Sequence, residues 1–221
     1  AAGDQPEAIV LSHHHIDHVG ALDAVLERWD LPCWGHSRTA ELLERDFERV
    51  LEDNDIIELG DGPDGTPGWQ LRCLFTPGHA EGHLAFYDPR HQALLAGDLL
   101  STLVSMYVGT PGGHLETYFQ SLEKIRALDT RLLYPSHGMP TLEAEALIDK
   151  TIEHRRKRIE QVREVLCRDP GPVLEISRKV YDHEKDARLR PLYERTTRAA
   201  LEYLVENGQA RKPLEDLYEA C

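Results

Sequence analysis

The stretch "AIVLSHHHIDHVGAL", residues 8–22, places four histidines and one aspartate within six positions. A short apolar run precedes this cluster and a helical pattern follows it, which predicts that the cluster lies between a strand and a helix. A purification tag would be homopolymeric and terminal, whereas this run is interrupted and internal. The stretch alone leaves two interpretations open, a solvated polar loop and a metal site.

Three polar residues elsewhere in the chain favour the metal site. His79 ends "FTPGH", Asp98 ends "LLAGD" and His137 lies in "YPSHG", each just past the end of a predicted strand. Open α/β sheets place their ligand sites at such strand ends, and imidazole and carboxylate groups are ligands that zinc binds readily. Loops on one shared edge would bring together two groups of ligands, one for each metal, with one carboxylate bridging them.

The hydrophobic pattern predicts an α/β domain followed by helices. Predicted strands at 7–12 and 31–36 flank a predicted helix at 19–29, and such a βαβ unit implies a parallel sheet. A second amphipathic helix is expected over 39–52. Further along, the pattern predicts a turn-rich loop at 61–68, a strand within 69–79, a hairpin over 83–98, a helix at 115–128, a strand at 131–138, helices at 141–168, 173–181 and 188–207, and a turn with a short basic wing at 206–213.

The composition suits a soluble globular protein with one ordinary domain and a small appendage. Of the 221 residues, 41% are hydrophobic and 29% are charged. No apolar run approaches the roughly 18–20 residues that span a bilayer, and no basic-then-apolar leader opens the chain, so the expected location is the cytoplasm, away from membranes. The cysteines lack CxxC spacing and are expected to be reduced thiols: Cys33, Cys73, Cys167 and Cys221.

The charge is unevenly distributed along the chain. Residues 1–149 contain 9 Lys and Arg against 25 Asp and Glu, a net charge of −16, whereas residues 150–221 contain 16 against 14, a net charge of +2. Together with the change to helical patterning, this break predicts an α/β catalytic domain over 1–145 and a helical module over 146–221. The acidic part would repel nucleic acid, so any contact with a polyanion is expected in the C-terminal part or at bound cations.

The combination of four motifs resembles a known family. "HHHIDH" fits H-x-H-x-D-H, and "TPGH", "GD" and "SHG" follow it in the order found in the metallo-β-lactamase superfamily. The resemblance covers residues 12–138 and implies the αββα sandwich of that superfamily. Members normally begin with several strands and a "DTG"-like turn ahead of the first motif. This chain starts only a few residues ahead of it, so we expect an N-terminally incomplete sandwich.

The resemblance implies a set of seven metal ligands. His13, His15 and His79 would hold one metal, and Asp17, His18 and His137 the other, with Asp98 bridging both. His14 falls on a variable position of the motif and is expected to bind neither metal. His83 is expected to make structural hydrogen bonds rather than to bind metal. The other histidines lack motif support and are expected to be ordinary residues: His36, His91, His114, His154 and His183.

The implied chemistry is hydrolysis by a dinuclear centre. Two divalent cations, foremost Zn²⁺ with Mn²⁺ or Fe²⁺ as alternatives, would activate a bridging hydroxide and polarise an ester, thioester or phosphodiester. Asp17 has a second expected role, orienting or deprotonating the attacking water. True zinc β-lactamases carry a cysteine where this chain has Asp98, and flavodiiron-type members carry a glutamate in place of His15, so neither activity is expected. Glyoxalase II-type thioesterases and RNA-processing nucleases share the ligand set found here.

The C-terminal part resembles the small winged-helix end of the β-lactamase-like protein 2 group, over roughly residues 141–221. That group includes an endoribonuclease acting on single-stranded RNA, so RNA is a candidate partner beside a small-molecule substrate. The basic run from Arg155 to Arg158 is interpreted as a solvated helix face or as a phosphate-facing patch. A non-enzymatic metal-binding or RNA-binding regulator is the alternative from another functional class. The sequence leaves the oligomeric state open.

Overall fold

The N-terminal part forms a small parallel sheet. The computed structural model describes residues 6–62, 65–183 and 186–221. Strand β1 (Ile9–Val10) pairs in parallel with β2 (Cys33–Gly35), and β2 pairs in parallel with β3 (Arg49–Val50). Two short helices, α1 (Ile16–Val19) and α2 (Leu22–Trp29), connect β1 to β2. This arrangement confirms the predicted βαβ unit, although the connecting helix is divided in two.

The predicted amphipathic helix over 39–52 is wrong beyond its first four residues. Helix α3 spans only Ser37–Leu42, and Glu44 adopts a left-handed φ of 50°, which an α-helix does not accommodate. The carboxylate of Glu48 then accepts a hydrogen bond of 2.7 Å from the main-chain N–H of Cys33. Of the apolar residues that suggested a helix, Leu43 and Phe47 pack against the core of the small parallel sheet. Leu51 packs against residues of the central sheet.

A five-stranded sheet forms the centre of the protein. Its strands lie in the order β4 (Ile56–Gly60), β5 (Trp69–Phe75), β6 (Leu84–Asp88), β7 (Ala93–Ser101) and β8 (Leu132–His137). All neighbours are antiparallel except β7 and β8, which are joined by helix α4 (Leu115–Arg126) and run parallel. The predicted hairpin over 83–98 is confirmed as β6–β7. Of the predicted loop at 61–68, residues 63 and 64 lie outside the described residues.

The C-terminal part consists of helices and a second small sheet. Its elements are α5 (Ala144–Arg168), β9 (Gly171–Pro172), α6 (Val173–Val180), a 3₁₀ turn (Ala187–Leu189), α7 (Arg190–Glu206), β10 (Ala210–Leu214) and β11 (Leu217–Ala220). The three strands are antiparallel in the order β10-β11-β9. The segment predicted as a turn with a basic wing leads into the antiparallel β10–β11 pair, and β9 is an additional strand that the pattern did not predict.

A single hydrophobic cluster joins the central sheet to the C-terminal helices. It runs from Leu94 of β7 through Leu122 of α4 and Ile148 of α5 to Leu201 of α7 and Tyr218 of β11. The division near residue 145 that the charge distribution predicts therefore falls at a position where side chains pack continuously on both sides. No helix within the described part of the chain is long and apolar enough to cross a membrane.

Arg155 is buried against this cluster, so both interpretations of the basic run are wrong for this residue. The residue is only 4% exposed, and its guanidinium lies 5.7 Å from the ring centre of Tyr118. Arg158 is half-buried and lies over the ring of Tyr181 at 4.4 Å. Only Arg156 and Lys157 remain exposed. Because Arg155 is buried, it belongs to neither a solvated helix face nor a surface that could contact phosphate.

Candidate metal centre

The "HHHIDH" motif follows a segment that is hydrogen-bonded on one side to the small parallel sheet and on the other side to the central sheet. The main-chain N–H of Leu11 donates to the carbonyl of Trp34 in β2 at 2.9 Å, and the N–H of Leu84 in β6 donates to the carbonyl of Ser12 at 2.8 Å. The hydroxyl of Ser12 lies 3.1 Å from Nδ1 of His13 and 3.5 Å from Nδ1 of His18. These contacts hold both rings by Nδ1 and leave their Nε2 atoms directed towards the candidate centre.

The loop that carries His79 lies directly against helix α4. Gly78 has a φ of 126°, and a Cβ added there would lie 2.4 Å from the main-chain nitrogen and Cα of Tyr118. Only glycine permits this approach. The Nδ1–H of His79 donates to the carbonyl oxygen of Tyr107 at 2.6 Å, which leaves its Nε2 atom free to bind metal.

Asp98 is oriented by the buried histidine that the sequence assigned to hydrogen bonding. The N–H of Asp98 donates to Nε2 of His83 at 3.0 Å, and Nδ1 of His83 lies 2.9 Å from the hydroxyl of Thr76. Gly97 makes this contact possible, because a Cβ there would lie 2.5 Å from Nε2 of His83. Burial lowers the pKa of His83 to about 3, so its ring is neutral and can accept this hydrogen bond.

The first cluster contains His13, His15, His79 and Asp98, whose candidate ligand atoms all lie within 4.8 Å of one another. Nδ1 of His15 lies 3.1 Å from Nε2 of His13 and 2.9 Å from Nε2 of His79. Oδ2 of Asp98 lies 3.4 Å from Nε2 of His79. Burial lowers the pKa of His79 to about 4 and that of His13 still further. Both rings are therefore neutral, as metal ligation requires.

The second cluster contains Asp17, His18, His137 and the same Asp98. Nε2 of His137 lies 3.3 Å from Oδ2 of Asp17 and 3.4 Å from Oδ2 of Asp98, and Nε2 of His18 lies 3.2 Å from Oδ1 of Asp98. Burial alone would raise the pKa of Asp98, but the close contact with Nε2 of His18 and the nearby imidazoles outweigh it and lower the pKa. The bridging carboxylate is therefore ionised.

The donor set fits two divalent cations. Oδ1 of Asp98 and Nε2 of His18 are buried, and neither has a hydrogen-bond partner of normal geometry despite their proximity. Buried polar atoms of this kind require a further partner, and nitrogen and carboxylate donors are the ligands of zinc and related metals. The structure thus brings together all seven residues that the sequence nominated, in two groups that share Asp98.

Residues outside the two clusters have other roles. His14 belongs to neither cluster of described residues. His36 and His114 each cap a helix through Nδ1, which accepts the N–H of Arg38 and of Thr117 respectively. Sequence reasoning missed the contribution of Tyr107, because a main-chain carbonyl leaves no residue-type signal.

Fold and site together define an α/β metalloprotein with room for two metals that share one carboxylate. The family model described as the metallo-beta-lactamase superfamily matches residues 1–137, and the chain belongs to that superfamily. Among solved structures, it superposes on the metallo-beta-lactamase family protein TTHA1429 from Thermus thermophilus with a TM-score of 0.80 at 25% identity. This match covers 97% of the present chain and 80% of the Thermus chain.

Relatives of this chain include proteins named as hydrolases, which narrows the class of protein within the superfamily. The chain is 26% identical over 219 residues to the probable metallo-hydrolase YqjP of Bacillus subtilis, covering 79% of this chain and 67% of that protein. It is 30% identical to the hydroxyacylglutathione hydrolase of Serratia proteamaculans, with coverage of 79% and 67%. It is also 30% identical to the beta-lactamase-like protein 2 homolog of Caenorhabditis elegans, with coverage of 72% and 52%. The chain is therefore a hydrolase of this superfamily and not a true β-lactamase.

Proposed function

We propose that the protein is a dinuclear metal-dependent hydrolase that cleaves thioesters or closely related esters. The observation that carries this proposal is the pair of His and Asp clusters that share Asp98. A binding module has no need of an open site for two metals, and a relative whose name specifies hydroxyacylglutathione acts on an acyl group joined to a thiol carrier. Zn²⁺ is the metal that we expect, with Mn²⁺ and Fe²⁺ accepted by the same donors.

The proposed mechanism assigns a role to each part of the donor set. A pair of divalent cations would supply a hydroxide nucleophile near neutral pH and polarise the scissile carbonyl group. His13, His15 and His79 would hold one cation and Asp17, His18 and His137 the other, with Asp98 between them. Asp17 is the most exposed of the carboxylates at the site, with 53% of its side chain accessible, so it can also accept a proton from the attacking water.

An assay panel with a matched pair of variants tests this function. Protein purified without chelator should hold about two metals per chain and hydrolyse S-lactoylglutathione or acyl-CoA faster than a bis-aryl phosphodiester or single-stranded RNA. Asp98→Ala should abolish turnover, whereas Asp46→Ala, at an exposed position outside both clusters, should not. Full activity of Asp98→Ala would contradict the mechanism. Two bound metals with no turnover on any substrate would favour the non-enzymatic regulator.

The surface of α5 gives an RNA substrate little support. Arg156 and Lys157 are the exposed cations of the basic run, and the groove that they line also contains Asp149, Glu153 and Glu160. A cationic groove for a polyanion requires an excess of positive charge, and these carboxylates remove that excess. The phosphodiester hypothesis therefore ranks below the thioester hypothesis, and preferential cleavage of RNA in the panel would reverse this order.

We also propose that residues 146–221 form a winged-helix-like module beside a catalytic domain over residues 1–145. The order helix–strand–helix–helix–strand–strand and the antiparallel β10-β11-β9 sheet support this proposal. Hydrogen exchange tests the boundary, because a module that opens cooperatively would exchange α6, α7 and its sheet together. Exchange of these elements only in concert with the central sheet would contradict a separate module.

A further inference from the structure

A short segment beside the metal centre exposes apolar side chains. Residues 101–106 leave the end of β7, three residues beyond the bridging Asp98. Leu103 is 73% exposed and Val104 is 61% exposed. Large apolar side chains grouped next to a polar site are typical of ligand-binding surfaces rather than of ordinary protein surface.

This segment is bonded to the loop that carries His137. The hydroxyl of Ser101 donates to the carbonyl of His137 at 2.9 Å and accepts the N–H groups of Leu103 and Val104 at 3.1 and 3.2 Å. The hydroxyl of Thr102 donates to the carbonyl of Met139 at 2.9 Å. The apolar segment therefore has a fixed position next to the second metal cluster.

A cleft of about 220 Å³ separates this segment from helix α5. Ligand pockets that enclose a whole drug-sized molecule measure about 300–1,000 Å³, so this cleft accommodates one part of a substrate. Its lining combines four large apolar side chains with hydroxyl groups, one lysine and one histidine. The apolar members are Leu103, Val104, Met106 and Leu147.

Charge in the cleft is confined to its edge. Lys150 is exposed and also borders a neighbouring cleft of about 360 Å³, with which the first cleft shares Thr102 and Leu147. Burial and the neighbouring cations, foremost Arg155, lower the pKa of His154, so its ring adds no charge near neutral pH.

We propose that this cleft binds the apolar acyl group of a medium-chain acyl thioester; this inference rests on the proposed function. Thiol carriers such as glutathione and coenzyme A are polar and charged, whereas an acyl chain is apolar and matches the four large apolar side chains of the cleft. A chain placed there extends away from a carbonyl group located at the metal centre, because the 101–106 segment starts three residues beyond Asp98 and is bonded to His137. The protein therefore discriminates among thioesters by the length of the acyl chain.

A chain-length series tests the assignment in the metal-loaded enzyme. S-acyl derivatives of N-acetylcysteamine with acetyl, butanoyl, hexanoyl and octanoyl groups share one uncharged thiol, so only the acyl part varies. We expect kcat/KM to rise roughly threefold per methylene group while the chain still enters the cleft, in line with the burial of apolar surface. The rise should stop once the chain fills the cleft.

A pair of variants tests whether the chain-length preference comes from the cleft or from any exposed apolar side chain. Val104→Trp fills the cleft and should lower the ratio of octanoyl to acetyl kcat/KM at least tenfold. Leu142→Trp changes a similarly exposed leucine that is not among the residues lining the cleft, and it should leave the ratio unchanged.

The outcomes separate this inference from the proposed function. Metal-dependent turnover that is independent of chain length, or an equal loss for all chain lengths in Val104→Trp, would overturn the acyl cleft and leave the hydrolase standing. If the protein hydrolyses neither the thioesters of the series nor S-lactoylglutathione, both the acyl cleft and the proposed hydrolase function would be overturned.

Discussion

The imidazole of His79 donates a hydrogen bond of 2.6 Å from Nδ1 to the carbonyl oxygen of Tyr107. Tyr107 lies in the loop between β7 and α4, and helix α7 of the C-terminal part holds this loop in place. The N–H of Thr110 donates to the carbonyl of Arg195 at 3.3 Å, and the hydroxyl of Thr110 donates to the carboxylate of Glu202 at 2.6 Å. A candidate metal ligand is thus oriented through a loop attached to the far end of the chain.

Thr110→Val should therefore weaken metal binding at the first cluster, although Thr110 touches no ligand. The substitution keeps the shape of the side chain and removes its hydrogen bond to Glu202. Direct partners of metal-binding histidines contribute about 10–100-fold to metal affinity. Thr110 acts one step further away, so we expect a loss of about two- to tenfold, measured by competition with a chromophoric chelator.

Thr130→Val is the matched control for this measurement. The hydroxyl of Thr130 is buried and has no hydrogen-bond partner among the described residues. Its removal costs no hydrogen bond and should leave metal affinity unchanged. Equal affinities for the Thr110 and Thr130 variants would show that the α7 contact does not position His79.

Gly78→Ala should destabilise the protein more than a substitution at any ordinary loop glycine. The new Cβ would meet the main chain of Tyr118 at 2.4 Å, and backbone atoms within a helix cannot yield as a flexible side chain does. Gly112 also has a positive φ, of 94°, but a Cβ there meets nothing within 4 Å. Gly112→Ala should cost about 1 kcal/mol for the unfavourable φ alone.

The difference between the two glycine variants isolates the close contact. We expect Gly78→Ala to lower the free energy of unfolding by about 3 kcal/mol or more, measured by urea denaturation of the metal-loaded protein. Similar midpoints for both variants would mean that the loop moves away from α4 without cost.

The grouping of the seven candidate ligands followed from the resemblance of four short motifs to one superfamily. Asp98 was expected just past the end of a strand but lies within β7, three residues before its end. Strand β9 was not predictable, because two residues that include Pro172 show neither alternation nor an apolar run. The helical content of 39–52 was overestimated because Leu43 and Phe47 pack against the small parallel sheet and Leu51 packs against the central sheet, so these residues do not form one helix face. In both cases tertiary contacts determine the local structure, and these contacts cannot be predicted from the local sequence pattern.

The burial of Arg155 left a signal that the sequence analysis did not use. Ile148, Ile152, Ile159 and Val162 form the buried stripe of α5, and Arg155 occupies the stripe position between them at the i+3 and i+4 spacing of a helix face. Treating the four residues of "RRKR" together as one basic run hid the helical periodicity of the buried stripe. A charged run within a helix is better divided by face before any of its members is assigned to the surface.

Asp17→Asn should separate ligation from proton transfer at the centre. The amide retains one oxygen at nearly the same position and loses the capacity to accept a proton at neutral pH. If Asp17 handles a proton, kcat should fall by about 100-fold or more while two metals remain bound. Metal analysis of the same sample supplies the second measurement, and Asp46→Asn is the exposed control.

Two results would contradict the double role of Asp17. Loss of one metal per chain, with activity restored by excess metal, would assign Asp17 to ligation alone. Unchanged kcat with both metals bound would exclude it from proton transfer.

The buried carboxylate of Asp88 should make the stability of the β6–β7 hairpin dependent on pH. Its Oδ2 atom accepts hydrogen bonds from Nε1 of Trp69 at 2.7 Å and from Nδ1 of His91 at 2.6 Å, and Oδ1 accepts the N–H of Arg90 at 2.9 Å. Burial alone would raise the pKa of Asp88, but these hydrogen bonds outweigh it and lower the pKa below its usual value.

A lowered pKa in the folded state stabilises the protein above the unfolded value of about 3.9, and this stabilisation is lost as the pH falls through the folded value. At pH 7, Asp88→Asn should therefore lower the free energy of unfolding by about 1.5–3 kcal/mol, because it removes charge-assisted hydrogen bonds from a buried site. Below pH 4 the wild type loses this advantage, and the two proteins should converge. Acid also releases metal from the wild type and from Asp88→Asn alike. The difference between their urea midpoints at each pH therefore reports the contribution of the Asp88 carboxylate. A difference that stays constant from pH 7 to pH 3 would show that the ionisation of Asp88 does not contribute to stability.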